Sequence, residues 1–340
     1  MTDAPKRMID LAALLAEQPG VGDAAMAAAC ARESTLTKPP GALGRLEALS
    51  AWMAGWQDRS PLRIDHPEVI VFAGNHGVAA RGVSAYPAEV TAQMVANFEA
   101  GGAAVNQLSA VAGAAFRIIP INLDTPTADF TTAPAMSEAD FMEAFLAGWH
   151  AVDSKTDLLA IGEMGIANTT SAAAVCHALF GGAASDWTGP GTGVSGTALS
   201  TKAQVVADAV TIHKDAASGP LDILRRLGGR ELAAMAGAIV SARYKRCPVL
   251  IDGYVCAAAA AALAQACPGS LDHTQAAHVS AEPGHRRLLD ALGMEPLLDL
   301  GMRLGEASGA ALAINIVRGA VACHTGMASF ADAGVSDKPA

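Results

Sequence analysis

The sequence predicts an α/β fold: a mostly parallel sheet with helices on both faces, plus a smaller helical unit built from the two chain ends. Three observations carry this. From Glu68 onward, short β-branched or aliphatic runs end in polar, glycine-containing loops, and Ala-rich helical patterns follow them. Strand, loop and helix repeated in this way is the grammar of a parallel sheet covered on both sides. Before that point, residues 8–57 read as helix with one break. The composition, 51% hydrophobic and only 4% aromatic, suits close packing of helices on a sheet better than an aromatic binding surface.

The elements follow in order. In LTKPPGALGRLE, Pro39-Pro40-Gly41 stops one helix, and Leu43, Leu46 and Leu49 start another at helical spacing. The strand runs are EVIVFAG, FRIIPINL, DLLAIGE, PVLIDG and AAHVSAEPG. Helices are expected near 88–100, 138–150, 170–180, 199–216, 230–243 and 254–266, with a last one near 308–323 that returns to the N-terminal helices. The tail after Ala328 is polar and is expected to fray. The division is an N-terminal helical segment over 1–60, an α/β domain over 61–300, and a C-terminal helical segment over 301–340 that rejoins the small unit.

A formal net charge of −10 argues against a nucleic-acid partner, because phosphate-backbone affinity rests on Lys and Arg. The six cysteines, 30, 176, 247, 256, 267 and 323, form no C-x-x-C pair and read as buried thiols of a reducing compartment. MTDAPKRMIDLAALLAEQPG has acids inside its short apolar run, a poor signal peptide. VCAAAAAALAQAC is too short to span a bilayer. The expectation is a soluble cytoplasmic protein with no membrane span.

In open parallel sheets ligands bind beyond the carboxyl ends of the strands. Here those ends are AGNHGV, GEMGIANTT, DGY and SAEPGH, each with glycine and a polar or charged group, which points to a pocket built there. Glu163 stands at one strand end. Glu306 stands alone before a run of small residues. It reads either as an acid favoured by a helix N-terminus or as a binding or catalytic group with room beside it for a flat ligand. Gly191, Gly193 and Gly196 have G-x-G-x-x-G spacing, but GGAASDWT before them is no strand, so a dinucleotide fingerprint is not supported. An anion loop feeding a helix that carries Lys202, or a surface loop, both fit. Gly165, Asn168, Thr169 and Thr170 lie where strand passes to helix, a place that suits a phosphate or a simple cap. His76 and His285 fit ligand, acid–base or structural roles, and His273 and His278 fall near a turn. No metal site is expected, since the nine histidines lack a zinc-type cluster.

Taken together, LTKPPGALGRLE, VFAGNHGVAARGVSAYPAEVTAQMVANF, IGEMGIANTTSAAA, GPGTGVSG, HVSAEPGH and LDLGMRLGEASGAAL resemble the nicotinate-nucleotide–dimethylbenzimidazole phosphoribosyltransferase family, in its order, over about residues 35–325. The resemblance implies a homodimer with a Rossmann-like domain and a smaller domain of terminal helices. It implies transfer of phosphoribose from nicotinate mononucleotide to 5,6-dimethylbenzimidazole, giving α-ribazole 5′-phosphate and nicotinate in cobalamin assembly. The catalytic base falls on Glu306 and a second active-site acid on Glu163. The phosphoribosyl side falls on Gly165, Asn168, Thr169 and Thr170, on Gly191, Gly193 and Lys202, and on Ser280 and Glu282. The benzimidazole side falls on Ser84, Tyr86, Gln93 and Met94. No cofactor is expected, because the pyridinium leaving group neutralises itself on departure. Three positions depart from the family pattern: Ala167 and Ala307 where glycine is usual, and Asn75 where aspartate is frequent. Two other classes remain at this stage, a metal-dependent transferase using phosphoribosyl pyrophosphate and a non-catalytic nucleotide sensor.

Overall fold

The computed structural model describes residues 4–336. Three helices open the chain: α1 (Asp10–Ala16), α2 (Asp23–Glu33) and α3 (Arg45–Gln57). Then come β1 (Pro67–Ala73), a 3-10 turn at Gly77–Arg81, α4 (Val90–Glu99), α5 (Ala104–Val111), β2 (Ala115–Pro120) and α6 (Glu138–Ala151). The middle of the chain forms β3 (Leu158–Met164), α7 (Asn168–Phe180), α8 (Ala184–Trp187), α9 (Gly196–His213), α10 (Pro220–Leu227) and α11 (Arg230–Tyr244). After these follow β4 (Val249–Ile251), α12 (Tyr254–Ala266), β5 (Thr274–Ala276), α13 (Pro283–Leu292), α14 (Ser308–Gly326) and α15 (Phe330–Ala333).

The five strands form one sheet in the order β2-β1-β3-β4-β5, and every neighbouring pair is parallel. Successive side chains of a strand point to opposite faces, so a strand covered on both sides is apolar throughout. Val69, Val71, Leu158, Ala160 and Leu250 pack on one face with Met53 of α3 and Ala310, Ile314 and Val317 of α14. Ile70, Phe72, Leu159, Ile161, Val249 and Ile251 pack on the other with Phe145 of α6, Val175 of α7, Ile239 of α11 and Ala258 of α12. The strand order reverses direction between β1 and β3, a crevice where parallel sheets bind ligands.

Helix α14 packs against the N-terminal helices α2 and α3. Ser50 Oγ donates to the Ala320 carbonyl at 3.1 Å, Arg32 Nε to the His324 carbonyl at 2.8 Å, and His324 Nδ1 lies 2.7 Å from Glu33 Oε1. The same helix covers β3 and β4, so it couples those helices directly to the sheet.

Several expectations are corrected. The N-terminal helices have two breaks, because Pro19-Gly20 separates α1 from α2. The fifth strand lies at Thr274–Ala276, upstream of most of the expected run. From Ala277 the chain leaves the sheet; Pro283 opens α13 from the first-turn position that proline favours. Helices α5, α10 and α13 were not expected; each has ten residues or fewer, a short span for a periodic signal. Past Ala328 the chain is ordered as far as α15: Ser329 caps it by accepting from the Asp332 N–H, and Phe330 N donates to the Thr35 carbonyl at 3.0 Å. The residues 337–340 of that tail lie outside the described residues. Cysteines 176, 247 and 256 are buried as expected, but Cys30 is exposed and Cys267 and Cys323 are half-buried. Among the described residues no helix is long and apolar enough to cross a membrane.

Candidate active site

A cavity of about 740 Å³ opens at the carboxyl ends of β3, β4 and β5. Met164–Ile166, Gly253–Val255, the His278–Glu282 segment and Arg303–Glu306 line it, together with Tyr86, Val90 and Met94. Three of the four polar strand ends therefore meet there. The fourth, AGNHGV, lies beneath: His76 is buried, with Nε2 2.6 Å from Glu231 Oε1 and Nδ1 2.9 Å from Ser171 Oγ. Its role is structural.

Glu163 and Glu306 both line this cavity. Glu163 is the penultimate residue of β3, in register with Phe72 of β1. Glu306 directly precedes the residue that caps α14. Two glycines bring the acids together. At Gly162 a Cβ would collide with the Ala307 backbone, so the bare position lets α14 settle against β3. Gly305 faces Glu163, and a Cβ there would lie 2.5 Å from its Oε1. The chain then enters α14 through three successive left-handed residues, Gly305, Glu306 and Ala307, at φ +81°, +60° and +60°. Ala167, which caps α7, is left-handed as well, at +75°. Both alanine departures thus occupy conformations that glycine adopts without strain and that cost an L-residue roughly 1–2 kcal/mol.

Burial makes both acids hold their protons. Glu163 rises from the ordinary 4.5 to about 8, driven first by burial, then by the Glu231 and Asp252 charges, against the Asn168 amide that donates to it. Glu306 rises to about 7, by burial and then by Asp252. A carboxylate near neutrality is matched to taking a proton at neutral pH.

Part of the cavity lining is polar. Gly165, Asn168, Thr169, Gly191, Ser280 and Glu282 supply that part. Glu282 Oε1 accepts the Gly191 N–H at 2.8 Å, and Glu282 N donates to Ser280 Oγ at 3.2 Å. Lys202 stands one layer back: its ammonium donates to Thr169 Oγ1 at 2.8 Å and to the Gly189 carbonyl at 2.9 Å. Burial lowers it to about 8, with Glu282 opposing. Thr170 does not join the lining; it is fully buried and its hydroxyl has no partner among the described residues. Gly193 is exposed on the loop and stands outside the lining.

Other lining residues are apolar: Tyr86, Val90, Met94, Ile166 and Leu304. Ser84 stands outside it; its hydroxyl lies 3.0 Å from that of Thr192 and ties the two loops together. Gln93 is exposed on α4 and also stands outside.

Residues 19–335 match a family model described as Phosphoribosyltransferase. The nicotinate-nucleotide–dimethylbenzimidazole phosphoribosyltransferase of Jannaschia sp. (strain CCS1) is 59% identical over 332 residues, covering 98% of either chain. That of Ruegeria pomeroyi (strain ATCC 700808 / DSM 15171 / DSS-3) is 60% identical over 324 residues, covering 95% of this chain and 96% of the relative. The chain belongs to the nicotinate-nucleotide–dimethylbenzimidazole phosphoribosyltransferase family. The crystal structure of CobT from Thermus thermophilus is similar throughout, with a TM-score of 0.88 at 40% identity over 93% of this chain and 100% of that one.

In this phosphoribosyltransferase fold four further cavity residues, Thr192, Tyr254, His278 and Arg303, lie inside the quoted motifs but were not among the expected site residues. Position was the usable signal for His278 and Tyr254, since each follows closely on a strand end. Arg303 Nη1 reaches the Gly191 carbonyl at 3.3 Å across the mouth, a contact between segments far apart in sequence. His285, the other histidine of SAEPGH, is structural: its Nδ1 accepts the Ser280 N–H at 2.8 Å. Among the described residues, no three His, Cys, Asp or Glu side chains are grouped to hold a metal ion.

Proposed function

We propose that the protein transfers phosphoribose from nicotinate mononucleotide to 5,6-dimethylbenzimidazole, giving α-ribazole 5′-phosphate and nicotinate, with inversion at C1′ and Glu306 as general base. The observation that carries this is one cavity lined by two buried glutamates, by apolar side chains such as Tyr86, Val90 and Met94, and by polar groups of Asn168, Thr169 and Ser280. The names carried by its close relatives point the same way. One benzimidazole nitrogen attacks C1′ as the bond to the pyridinium nitrogen breaks, and that electron pair neutralises the ring. Glu306 takes the proton from the other benzimidazole nitrogen. Attack opposite the leaving group turns a β- into an α-linkage.

Glu163 is mostly protonated at neutral pH when the cavity is empty of a cation, and a cationic nucleotide favours its ionised form. It acts on the ribosyl ring, by charge or by orienting hydroxyls. The polar part of the lining holds ribose and phosphate, and holding reactants in line is itself a large part of the barrier reduction. The benzimidazole lies against Tyr86, Val90 and Met94. The working form is a cytoplasmic homodimer that needs no cofactor.

The test is incubation with nicotinate mononucleotide and dimethylbenzimidazole in EDTA. Ribazole phosphate and nicotinate in equal amounts support the reading. Turnover only with phosphoribosyl pyrophosphate and a divalent metal rejects it, as does nucleotide binding without release of nicotinate.

A further inference from the structure

Asp252 follows β4 directly and is 1% exposed. Its Oδ1 accepts the N–H of Ala310 at 2.8 Å. Ala310 is the third residue of α14, and the first amides of a helix have no acceptor within it. The side chain of the residue before a helix commonly accepts one of them. Here that residue is Ala307, which has nothing to accept with. Asp252 therefore supplies, from the end of another element, the acceptor that the helix's own cap lacks.

His278 completes the arrangement. Its Nε2 lies 3.4 Å from the same Asp252 oxygen, it lines the cavity, and it is 1% exposed. Neither ring nitrogen has a hydrogen-bond partner among the described residues. The imidazole lies against Gly309, where any Cβ would run into the ring. The end of β4, the segment after β5 and the first turn of α14 thus lock at one point, four residues from Glu306 along the chain.

We propose that Asp252, backed by His278, is a positioning residue of the reaction: from the end of β4 it holds the start of α14, and so the backbone from which Glu306 reaches the benzimidazole N–H. This rests on Glu306 being the general base. The ionisable groups around the pair are Glu163 on β3, Glu306 before α14, Cys256 on α12 and His285 on α13. Burial disfavours protonated His278, but Asp252 outweighs burial and raises its proton affinity. Asp252 charge is also, after burial, the cause of the raised proton affinity of Glu306.

Turnover of nicotinate mononucleotide and dimethylbenzimidazole tests this, with melting curves and a pH–rate profile for each variant. Asp252→Ala is expected to lower kcat on the order of 100-fold, the scale of misplacing a reacting group by about 1 Å, with KM for the nucleotide changed far less. Asp252→Asn keeps an oxygen for the Ala310 N–H and is expected to lose less. Its acid limb moves to lower pH, because a negative neighbour of Glu306 is gone. His278→Gln removes the ring that backs Asp252 and is expected to lower kcat less than Asp252→Ala. A purely structural contact would lower melting temperature and leave the limb in place. Folded Asp252→Ala at wild-type rate overturns the proposal. If that variant does not fold, wild-type kcat and an unmoved limb in Asp252→Asn overturn it. A wild type that forms no ribazole phosphate removes the general-base reading and this proposal together; wild-type turnover that is lost in Glu306→Gln but kept in Asp252→Ala removes this proposal alone.

Discussion

At the scale of single residues, the chemistry turns on which carboxylate is free to take a proton. Glu306→Gln keeps the shape of the side chain and removes its basicity. Turnover is expected to fall about 10²–10⁴-fold, the usual worth of a general base, with both substrates still bound in calorimetric titration. In the wild type, turnover is expected to drop as pH falls through about 7, where Glu306 becomes protonated. That limb is absent from the residual activity of the variant. The two neighbouring threonines separate binding from packing. Thr169 lines the cavity and accepts from Lys202, so Thr169→Val is expected to weaken nicotinate mononucleotide by about 1.5–3 kcal/mol, the range for a hydrogen bond to a charged group. Thr170→Val deletes a buried hydroxyl without a partner, so nucleotide affinity holds and the melting temperature does not fall. Equal losses of affinity in both variants would show that the lining is not built as described.

At the scale of elements, the decisive contact is α14 against β3. Helix α14 approaches so closely because Gly162 has no side chain, and Ala307 fills that space. Gly162→Ala puts a methyl into the Ala307 backbone, which has no flexible end to give way. The expected cost is about 1–3 kcal/mol of stability, as for other overpacked sites, seen as a lower denaturation midpoint. Turnover falls further than stability, because the displaced segment carries Glu306. A variant as stable and active as wild type would mean that the strand and helix are not in contact in solution. This is also the scale at which periodicity reads well or badly. Helix α9 was legible because its eighteen residues carry a long signal, whereas α13 has ten and begins inside an apparent strand.

At the scale of the whole molecule, the site costs stability. Glu163 binds its proton up to about 8 in the folded chain and only to about 4.5 as an ordinary side chain. A raised folded value means its contribution is fully present below 4.5 and is lost as pH rises through about 8. Glu163→Gln has no charge to bury. It is expected to melt higher than wild type at alkaline pH, with the difference shrinking to nothing in mild acid. Melting curves across that range check this; a difference independent of pH would mean that the charge of Glu163 is not what strains the fold. Proteins often hold such destabilised groups where function needs them.

The sequence by itself determined the first four strands, the longer helices, the polar strand ends and the presence of the two glutamates, because each rests on near neighbours in the chain. A short continuous aliphatic run marks a fully buried strand, 3.6-residue spacing marks a helix, and glycine beside a charge marks a strand end. Only the tertiary structure decided which of these meet. That Glu163 faces Gly305, that Lys202 points inward behind Thr169, and that Asp252 caps a helix beginning some fifty residues later depend on how far apart elements pack and how each helix is rotated. Successive helical residues point about 100° apart, so Thr169 reaches the cavity and Thr170 does not, and nothing in the local pattern of the two distinguishes them. Their roles are set by what the rest of the chain packs against them.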